Sequence, residues 1–461
     1  MVKHRPVRPP RAVLATAVAL ALGAVAAPAA AQDLKFPVGE GDFNWDSYQA
    51  FADEHDLSGQ SITVFGPWLG PDQELAESMF AYFEEATGAD VAYVGSDSFE
   101  SQIRIDTQAG SAPNIAVFPQ PGLAADLAQQ GQLTPLPDGA ADFLRDNYAA
   151  GDSWVSLGTF PGADGEEALY GFFYKVDVKS LVWYVPENLE DLGYEVPETL
   201  EELVELSDEI VAEGETPWCI GLGSGAATGW PATDWVEDMM LRTQTPEVYD
   251  QWVTNEIPFD DPKVVEAIEA FGQFAKNPDY VAGGPDAVAT TDFRDSPKGL
   301  FATPPQCYFH HQASFIPSFF PEGTVVGEDV DFFFMPTFES KADLGNPVLG
   351  AGTMWAVTKE NEATAAFMEW LQQPIAHEVW MAQSGFLTPH TGVNTELFSD
   401  PTLGAMNEIL LQADTFRFDG SDLMPGGVGA GSFWTGMVDY VGGKDAEAVA
   451  SEIQSSWDSL K

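Results

Sequence analysis

Short apolar segments alternate with helical segments along the first third of the chain. Three of them have the length and apolar content of buried β-strands: residues 61–65, 91–94 and 114–118. After the first, Leu75, Met79 and Phe83 recur every four residues, which predicts a helix over residues 72–87, and a second helix is predicted over residues 99–108. This order predicts βα units and an α/β fold with a largely parallel sheet.

Ligands of open α/β sheets bind beyond the carboxyl ends of the strands. The loops that begin at Gly66, Gly95 and Pro119 are therefore the predicted location of a ligand site. Farther along, residues 174–184 form one long strand-like run. Thr199 and Glu202 then form a capping box, which predicts a helix up to Gly214 and the start of a second, helix-rich region.

The N-terminus has the pattern of a secretory signal peptide. Four basic residues, Lys3, Arg5, Arg8 and Arg11, precede an uncharged run over residues 12–27, and three alanines follow at residues 29–31. The run is about 16 residues long, shorter than a membrane-spanning helix requires, so a membrane anchor is the less favoured alternative. Residues 1–31 are therefore predicted to be removed before Gln32, leaving a periplasmic protein.

The chain is strongly acidic, with 72 Asp and Glu residues against 19 Lys and Arg residues and a net charge of −53. Nucleic acids and anionic membranes attract the opposite charge, so neither is an expected partner. A hydrophobic content of 45% is too high for a disordered acidic chain. The length of 461 residues exceeds what one core usually supports, which favours two lobes.

The chain has two cysteines, Cys219 and Cys307. An exported protein folds in an oxidising compartment, which favours one disulfide between them, and two buried free thiols are the alternative. Two cysteines without neighbours cannot form a thiolate metal cluster. No metal ion and no cofactor are expected.

Seven segments, spread over most of the chain, carry a resemblance to a known family: NIAVFPQPGLAADLAQQGQL (114–133), YKVDVKSLVWY (174–184), PETLEEL (197–203), PWCIGLGSGAATGWPATDWVEDMMLR (217–242), CYFHHQASF (307–315), GAGTMWAV (350–357) and SFW (432–434). The chain resembles family 1 extracellular solute-binding proteins of ATP-binding-cassette (ABC) importers, which form the maltose-binding-protein superfamily. Within it, the α-glucoside-transport binding proteins are the most similar.

This resemblance implies a type II periplasmic binding protein fold, with two α/β lobes joined by hinge crossovers. One lobe would comprise residues 32–176 and 338–390, and the other residues 177–337 and 391–461. A sugar, expected to be an α-glucoside of the maltose, trehalose or sucrose type, would bind in the cleft between them. The protein would be a monomer that is not an enzyme and that delivers its ligand to the transmembrane permease subunits.

A sugar site needs flat aromatic rings for the C–H faces of a pyranose and polar groups for its hydroxyls. The aromatic candidates are Trp68, Trp230, Trp355, Trp434 and Tyr308. The polar candidates are Asp97, Gln120, Asp234 and Arg417. Alternatives remain for each group: core packing for the tryptophans, packing around Cys307 for Tyr308, and a structural ion pair for Arg417.

Two other classes of function share parts of this pattern. A secreted glycoside hydrolase would use a cleft of aromatic residues and carboxylates, but no hydrolase motif is present and no catalytic residue is predicted. The same fold could also bind a polyamine or a metal chelate. The segment 221–226 fits a dinucleotide-binding pattern formally, but a tight turn that approaches the ligand is favoured.

Overall fold

The computed structural model describes residues 34–149, 151–345, 347–412 and 416–460. The predicted signal peptide, residues 1–31, lies outside these ranges. Within them, no helix is both long enough and apolar enough to cross a membrane.

The strands are β1 (Ser61–Gly66), β2 (Asp90–Gly95), β3 (Ile115–Phe118), β4 (Thr159–Pro161), β5 (Glu167–Leu169), β6 (Gly171–Val178), β7 (Leu181–Tyr184), β8 (His310–His311), β9 (Asp331–Phe334), β10 (Val348–Val357) and β11 (Phe416–Phe418). The α-helices are α1 (Trp45–Glu54), α2 (Pro71–Thr87), α3 (Phe99–Ala109), α4 (Pro121–Gln129), α5 (Asp138–Asn147), α6 (Gly151–Leu157), α7 (Pro186–Leu192), α8 (Leu200–Ala212), α9 (Trp230–Thr243), α10 (Pro246–Val253), α11 (Pro262–Ala275), α12 (Pro285–Val288), α13 (Glu362–Trp370), α14 (Pro374–Met381), α15 (Pro401–Gln412), α16 (Gly420–Leu423), α17 (Trp434–Val441) and α18 (Ala446–Asp458).

Six strands form the main sheet, in the order β11, β10, β3, β1, β2, with β6 also paired to β10. The predicted βα units are present, because β1 runs parallel to both β2 and β3. The long strand β10 instead runs antiparallel to β3 and β6. The sheet is therefore mixed rather than largely parallel, since a strand from late in the chain enters it in the opposite direction.

The run predicted as one strand over residues 174–184 is two strands in two sheets. β6 joins the main sheet, whereas β7 pairs with β8 and β9 in a three-stranded sheet. Lys179 and Ser180 separate them, and both side chains are buried against carboxylates of α9. The backbone passes from one sheet to the other here, since Lys179 N donates to Leu349 O of β10 and Ser180 O accepts from Met335 N, just after β9.

The hydrophobic core divides into two clusters. The first surrounds the main sheet and includes Trp355, Trp370 and Trp380. The second packs the helix-rich region around α9 and includes Trp218 and Trp235. The buried hydrophobic residues of the described chain therefore form two clusters rather than one.

Two local predictions are confirmed. Cys219 and Cys307 form a disulfide with their Cα atoms 5.5 Å apart. The capping box at the start of α8 is complete, because Thr199 Oγ1 accepts from Glu202 N and Glu202 Oε2 accepts from Thr199 N. The helix ends at Ala212, two residues before the predicted end at Gly214.

Candidate ligand-binding site

A cavity of about 950 Å³, including space open to solvent, lies beyond the carboxyl ends of β1, β2 and β3. The residues that follow each of these strands line it: Pro67, Trp68, Leu69, Ser96, Asp97, Pro119 and Gln120. These are the loops that begin at Gly66, Gly95 and Pro119. Parallel strands place their carboxyl ends at the same sheet edge, which is why segments far apart in sequence meet here.

The remainder of the cavity wall comes from later parts of the chain. Its polar members are Lys175, Asp177, Lys179, Thr233, Asp234, Arg294, Thr353, Asp419, Ser421 and Asp422, and its aromatic members are Trp230, Phe293, Phe315, Phe319 and Trp434. Trp230 begins α9 and Trp434 begins α17. Gly229 brings the two helix starts together, because its φ is +116° and a Cβ there would lie 2.3 Å from the Trp434 carbonyl oxygen. A side chain at residue 229 would separate the two tryptophans.

Six of the nine predicted ligand-binding residues line this cavity: Trp68, Asp97, Gln120, Trp230, Asp234 and Trp434. The other three, Tyr308, Trp355 and Arg417, lie elsewhere. Tyr308 is buried in the second core cluster, beside Cys307. Its position agrees with the alternative of packing near the disulfide.

Trp355 is fully buried in the first core cluster. It pairs with Val117 on one side and Phe172 on the other, at the centre of the main sheet. The part of β10 that reaches the cavity is instead residues 351–353. β10 therefore reaches the cavity, but through residues that precede Trp355 in the strand.

Arg417 lies on the edge strand β11 and forms a two-pronged ion pair with Asp250. Its Nε and Nη2 atoms lie 2.6 and 2.9 Å from the two carboxylate oxygens. The Asp250 side chain is 52% exposed, and neither residue lines the cavity. This arrangement matches the alternative of a structural ion pair.

A buried lysine organises the carboxylates on the cavity wall. Lys179 Nζ donates to Asp234 Oδ1 at 2.8 Å and also to Asp419. Asp419 Oδ1 accepts from Ser421 Oγ and Asp422 N, which fixes the start of α16. A second buried pair joins Lys175 Nζ to both oxygens of Asp177, at 2.9 and 3.1 Å. Neither lysine was among the predicted site residues, although a lysine within an apolar run such as 174–184 is a signal that the sequence offers.

Burial shifts the proton affinity of this cluster. It raises the pKa of Asp234 to about 8, although Lys179 opposes the shift. Burial likewise raises the pKa values of Glu237 and Asp422 well above their ordinary values. Burial also opposes ionisation of Asp419, but Lys179 and the hydrogen bonds that Asp419 accepts hold its pKa below the ordinary value. Lys179 and Asp419 are therefore the ion pair, and the other carboxyls retain protons to higher pH.

Several buried polar atoms on the cavity wall have no hydrogen-bond partner within the described part of the chain: Gln120 Oε1, Asp234 Oδ2, Thr353 Oγ1 and Trp434 Nε1. Leaving such an atom unpaired costs about 1–3 kcal/mol. The four residues are each less than a tenth exposed. A ligand with both donor and acceptor groups would satisfy these atoms.

The chain matches the family described as "Bacterial extracellular solute-binding protein" over residues 67–378, most of its length. It belongs to this family. The solute-binding protein is 64% identical to the alpha-glucosides-binding periplasmic protein AglE of Rhizobium meliloti (strain 1021), over 94% of each chain. It is also 41% identical to the osmoprotective compounds-binding protein GgtB of Synechocystis sp., over 86% of this chain and 92% of GgtB.

Solved structures of sugar receptors share the fold of this solute-binding protein. The bacterial solute receptor AcbH aligns with a TM-score of 0.75 at 17% identity, covering 87% of this chain and all of AcbH. Maltose-bound MalE3 of T. maritima aligns at 0.66 and 14% identity, covering 87% of this chain and all of MalE3. The predicted type II periplasmic binding protein fold is confirmed. The family also confirms that the protein is a binding protein and not an enzyme.

Three carboxylates of the cavity region, Asp234, Glu237 and Asp419, have oxygens within 4.8 Å of one another. Oxygen ligands at this spacing could hold a hard cation. In the solute-binding protein, the Lys179 ammonium already occupies one oxygen of Asp234 and one of Asp419. The lysine supplies the positive charge that a metal ion would otherwise bring.

Proposed function

We propose that this protein captures a small α-glucoside in the cavity and delivers it to the permease of an ABC importer. Its 64% identity to AglE, which is named for binding α-glucosides, supports this ligand class. The family supports a role in solute capture outside the cytoplasm.

The observation that carries the proposal is the combination of aromatic faces and unpaired polar atoms on one cavity wall. Trp230 and Trp434 offer flat apolar surfaces of the kind that pack against the C–H face of a pyranose. Asp234 Oδ2 and Gln120 Oε1 can accept hydrogen bonds from sugar hydroxyls, and Trp434 Nε1 can donate one. A neutral polyol provides donors and acceptors together, whereas a polyamine provides no acceptor for Trp434.

The two lobes are part of the proposal. One comprises residues 32–176 and 338–390 and the other residues 177–337 and 391–461, with crossovers near residues 174–178, 336–338 and 388–393. The helix-rich core cluster lies almost entirely within the second range, whereas the first cluster extends into that range at Trp183, Phe293 and Phe319. Ligand would favour the closed arrangement only through its higher affinity for that state.

The cellular setting is also proposed. A signal peptide over residues 1–31 would direct the chain to the periplasm, where the mature protein, beginning at Gln32, would act as a monomer. Its partners would be the transmembrane permease subunits. The acidic composition, with a net charge of −53 over all 461 residues, suits a soluble protein that does not bind nucleic acid.

Titration calorimetry of the mature protein with maltose, trehalose and sucrose tests the proposal, with chromatography of the recovered sugar. We expect tight binding of at least one of these sugars, recovered uncleaved. Trp434→Ala should lower its affinity at least about tenfold, since an interface tryptophan commonly contributes more than 1.4 kcal/mol. Arg417→Ala is the matched control, because Arg417 lies outside the cavity.

Three results would contradict the proposal. Cleavage of the sugar would favour the hydrolase alternative. Binding of putrescine or a chelated metal, with no sugar bound, would keep the fold but change the ligand class. Unchanged sugar affinity in Trp434→Ala would place the site elsewhere.

A further inference from the structure

A second cavity adjoins the first and shares part of its wall. It encloses about 780 Å³, including space open to solvent, and its lining residues are Leu69, Gly70, Pro71, Arg294, Asp295, Lys298, Ser318, Phe319 and Phe320. Leu69, Arg294 and Phe319 line both cavities. The second cavity therefore lies next to the candidate ligand site. The side chains of Leu69, Arg294 and Phe319 form the partition between the two cavities.

Arg294 is the fixed part of this partition. Its Nη2 donates to Asp97 Oδ1 at 2.6 Å, and its Nη1 lies 3.1 Å from Asp292 Oδ2. The guanidinium also lies over the Phe293 ring, 4.4 Å from the centroid. Two carboxylates and one aromatic ring hold this arginine in one orientation. Its planar guanidinium loses little conformational entropy for each contact, because one orientation satisfies all three.

The Asp97 side of the partition is confined by a glycine turn. Gly225 has φ +56°, and a Cβ there would lie 2.7 Å from the Asp97 Cβ. Any other residue at 225 would displace Asp97 from Arg294. Behind this pair, Ser318 Oγ donates to Asp72 Oδ1 at 3.0 Å, which joins a residue of the second cavity to one of the first.

The second cavity has the chemical character of the first. Phe319 and Phe320 supply aromatic surface, and Asp295, Lys298 and Ser318 supply polar groups. Aromatic faces beside hydrogen-bonding groups suit one more pyranose ring. The Arg294–Asp97 pair stands between this surface and the proposed sugar site.

We propose that Arg294 determines the length of the bound glucoside. Held against Asp97, it closes the first cavity and restricts the ligand to a short glucoside, and without it a longer chain extends into the second cavity. This inference rests on the proposed function. It assigns to Arg294 a role in specificity rather than in holding the first sugar.

Calorimetry with maltose, maltotriose and maltotetraose tests the proposal on the mature wild-type protein, Arg294→Ala and Arg294→Lys. The wild type should bind maltose at least about tenfold more tightly than maltotriose. In Arg294→Ala the ratio of maltose affinity to maltotriose affinity should fall about tenfold or reverse. Arg294→Lys, which keeps the charge but not the planar contacts, should lie between the two. Arg417→Ala should leave the preference unchanged, because it removes a carboxylate-paired arginine outside both cavities.

A second substitution tests where the additional sugar lies. Lys298 lines only the second cavity, and its side chain is 55% exposed. Adding Lys298→Ala to Arg294→Ala should weaken maltotriose binding several-fold and leave maltose binding unchanged. If Arg294→Ala does not fold, which thermal unfolding would reveal, Arg294→Lys alone must still reduce the preference for maltose.

The proposal is wrong if the length preference of both Arg294 variants equals that of the wild type. It is also wrong if the affinities for all three sugars change by the same factor, since Arg294 would then act on the shared first sugar and not on length. A wild type that binds no α-glucoside would instead refute the proposed function. A wild type that binds maltotriose as tightly as maltose would refute the length limit while leaving sugar binding intact.

Discussion

Two buried clusters of charge lie on neighbouring turns of α9, and only one of them faces the cavity. Asp234 and Glu237 belong to the cluster around Lys179, and Asp238 belongs to a cluster with Arg242 and His311. Two adjacent residues each donate a hydrogen bond to one cluster: Lys179 to Asp234, and Ser180 to Asp238. The two clusters have similar residue types and are both buried. They differ in how many of their carboxylate oxygens accept hydrogen bonds.

The Asp238 cluster is fully paired. Asp238 Oδ1 lies 2.7 Å from Arg242 Nη1 and accepts from Ser180 Oγ, and Oδ2 lies 3.0 Å from His311 Nε2. Arg242 also donates to the carbonyl oxygens of Met335 and Pro347. Burial alone would raise the pKa of Asp238, but Arg242, His311 and Ser180 hold it below its ordinary value.

The Asp234 cluster is incompletely paired, since Asp234 Oδ2 and Glu237 Oε2 accept no hydrogen bond from an N–H or hydroxyl group of the described residues. Burial raises the pKa values of both carboxyls. A buried cluster whose hydrogen bonds are all made within the protein stabilises the fold. A cluster beside a cavity that has unused hydrogen-bond acceptors can bind a ligand. Substitutions in the two clusters should therefore affect different measured quantities.

The largest effect on stability is expected from Asp238→Ala. It leaves the Arg242 guanidinium buried without its carboxylate, and breaking a buried ion pair in this way costs about 3–5 kcal/mol. Urea unfolding should show this loss in the free energy of unfolding. The protein that remains folded should bind sugar with wild-type affinity. A loss below about 1 kcal/mol would show that the pairing of Asp238 is not structural.

The next largest effect is expected from Asp234→Asn, and it concerns affinity. Asparagine keeps the size of the side chain but replaces the Asp234 carboxyl group, which can both donate and accept, with an amide, and a mismatched buried hydrogen bond costs about 1–3 kcal/mol. Calorimetry should show sugar affinity lowered about 10–100-fold, with the free energy of unfolding at about pH 4.5, where little of the pH-dependent difference has developed, within about 1 kcal/mol of the wild type. The distinction between the clusters fails if stability falls as far as in Asp238→Ala while affinity is unchanged.

A pH series sharpens the same distinction. The folded protein keeps a proton on Asp234, whose pKa is raised from 3.8 to about 8 by burial, whereas the unfolded chain releases that proton near pH 4. This contribution to stability is present below about pH 4 and is lost as the pH rises toward about 8. Relative to Asp234→Asn, the wild type should lose up to about 1.4 kcal/mol of unfolding free energy per pH unit across this window.

Asp238 should behave in the opposite way. Its pKa is lowered in the folded protein, so its contribution is present above its unfolded pKa and is lost as the pH falls below about 4. Unfolding measured from pH 3 to pH 9 on the wild type and both variants separates the two contributions. Parallel pH profiles for the wild type and Asp234→Asn would contradict the assignment of the retained proton.

The βα units and their loops were predictable because their signals are local. β1, β2 and β3 lie within one residue of their predicted bounds, and the loops after them line the cavity. The partners of Lys179 were not predictable, since Asp234 lies 55 residues away and Asp419 lies 240 residues away. Such pairs form only when the tertiary fold brings distant segments together.

Trp355 marks another limit of prediction from the sequence. Every residue of β10 is buried, so alternation along the strand does not reveal which residues reach the cavity. The resemblance identified the correct strand, but residues 351–353 reach the cavity and Trp355 packs in the core. The role of Arg417 was ambiguous for a similar reason. An arginine between aromatic residues has the same sequence pattern whether it binds a ligand or forms a structural ion pair.

The smallest effect on stability and affinity is expected from Arg417→Ala. This variant is the control for the substitutions in both α9 clusters. Its pair with Asp250 has good geometry but lies at an exposed edge strand, where solvent screens the charges and the pair contributes about 0–1 kcal/mol. Arg417→Ala should therefore change the free energy of unfolding by less than about 1 kcal/mol and leave sugar affinity unchanged. Urea unfolding and calorimetry on the same preparation measure both quantities. If this variant weakened binding as much as Asp234→Asn, affinity would depend on charges throughout the molecule, and the incomplete pairing of the Asp234 cluster would not be the cause of its sensitivity.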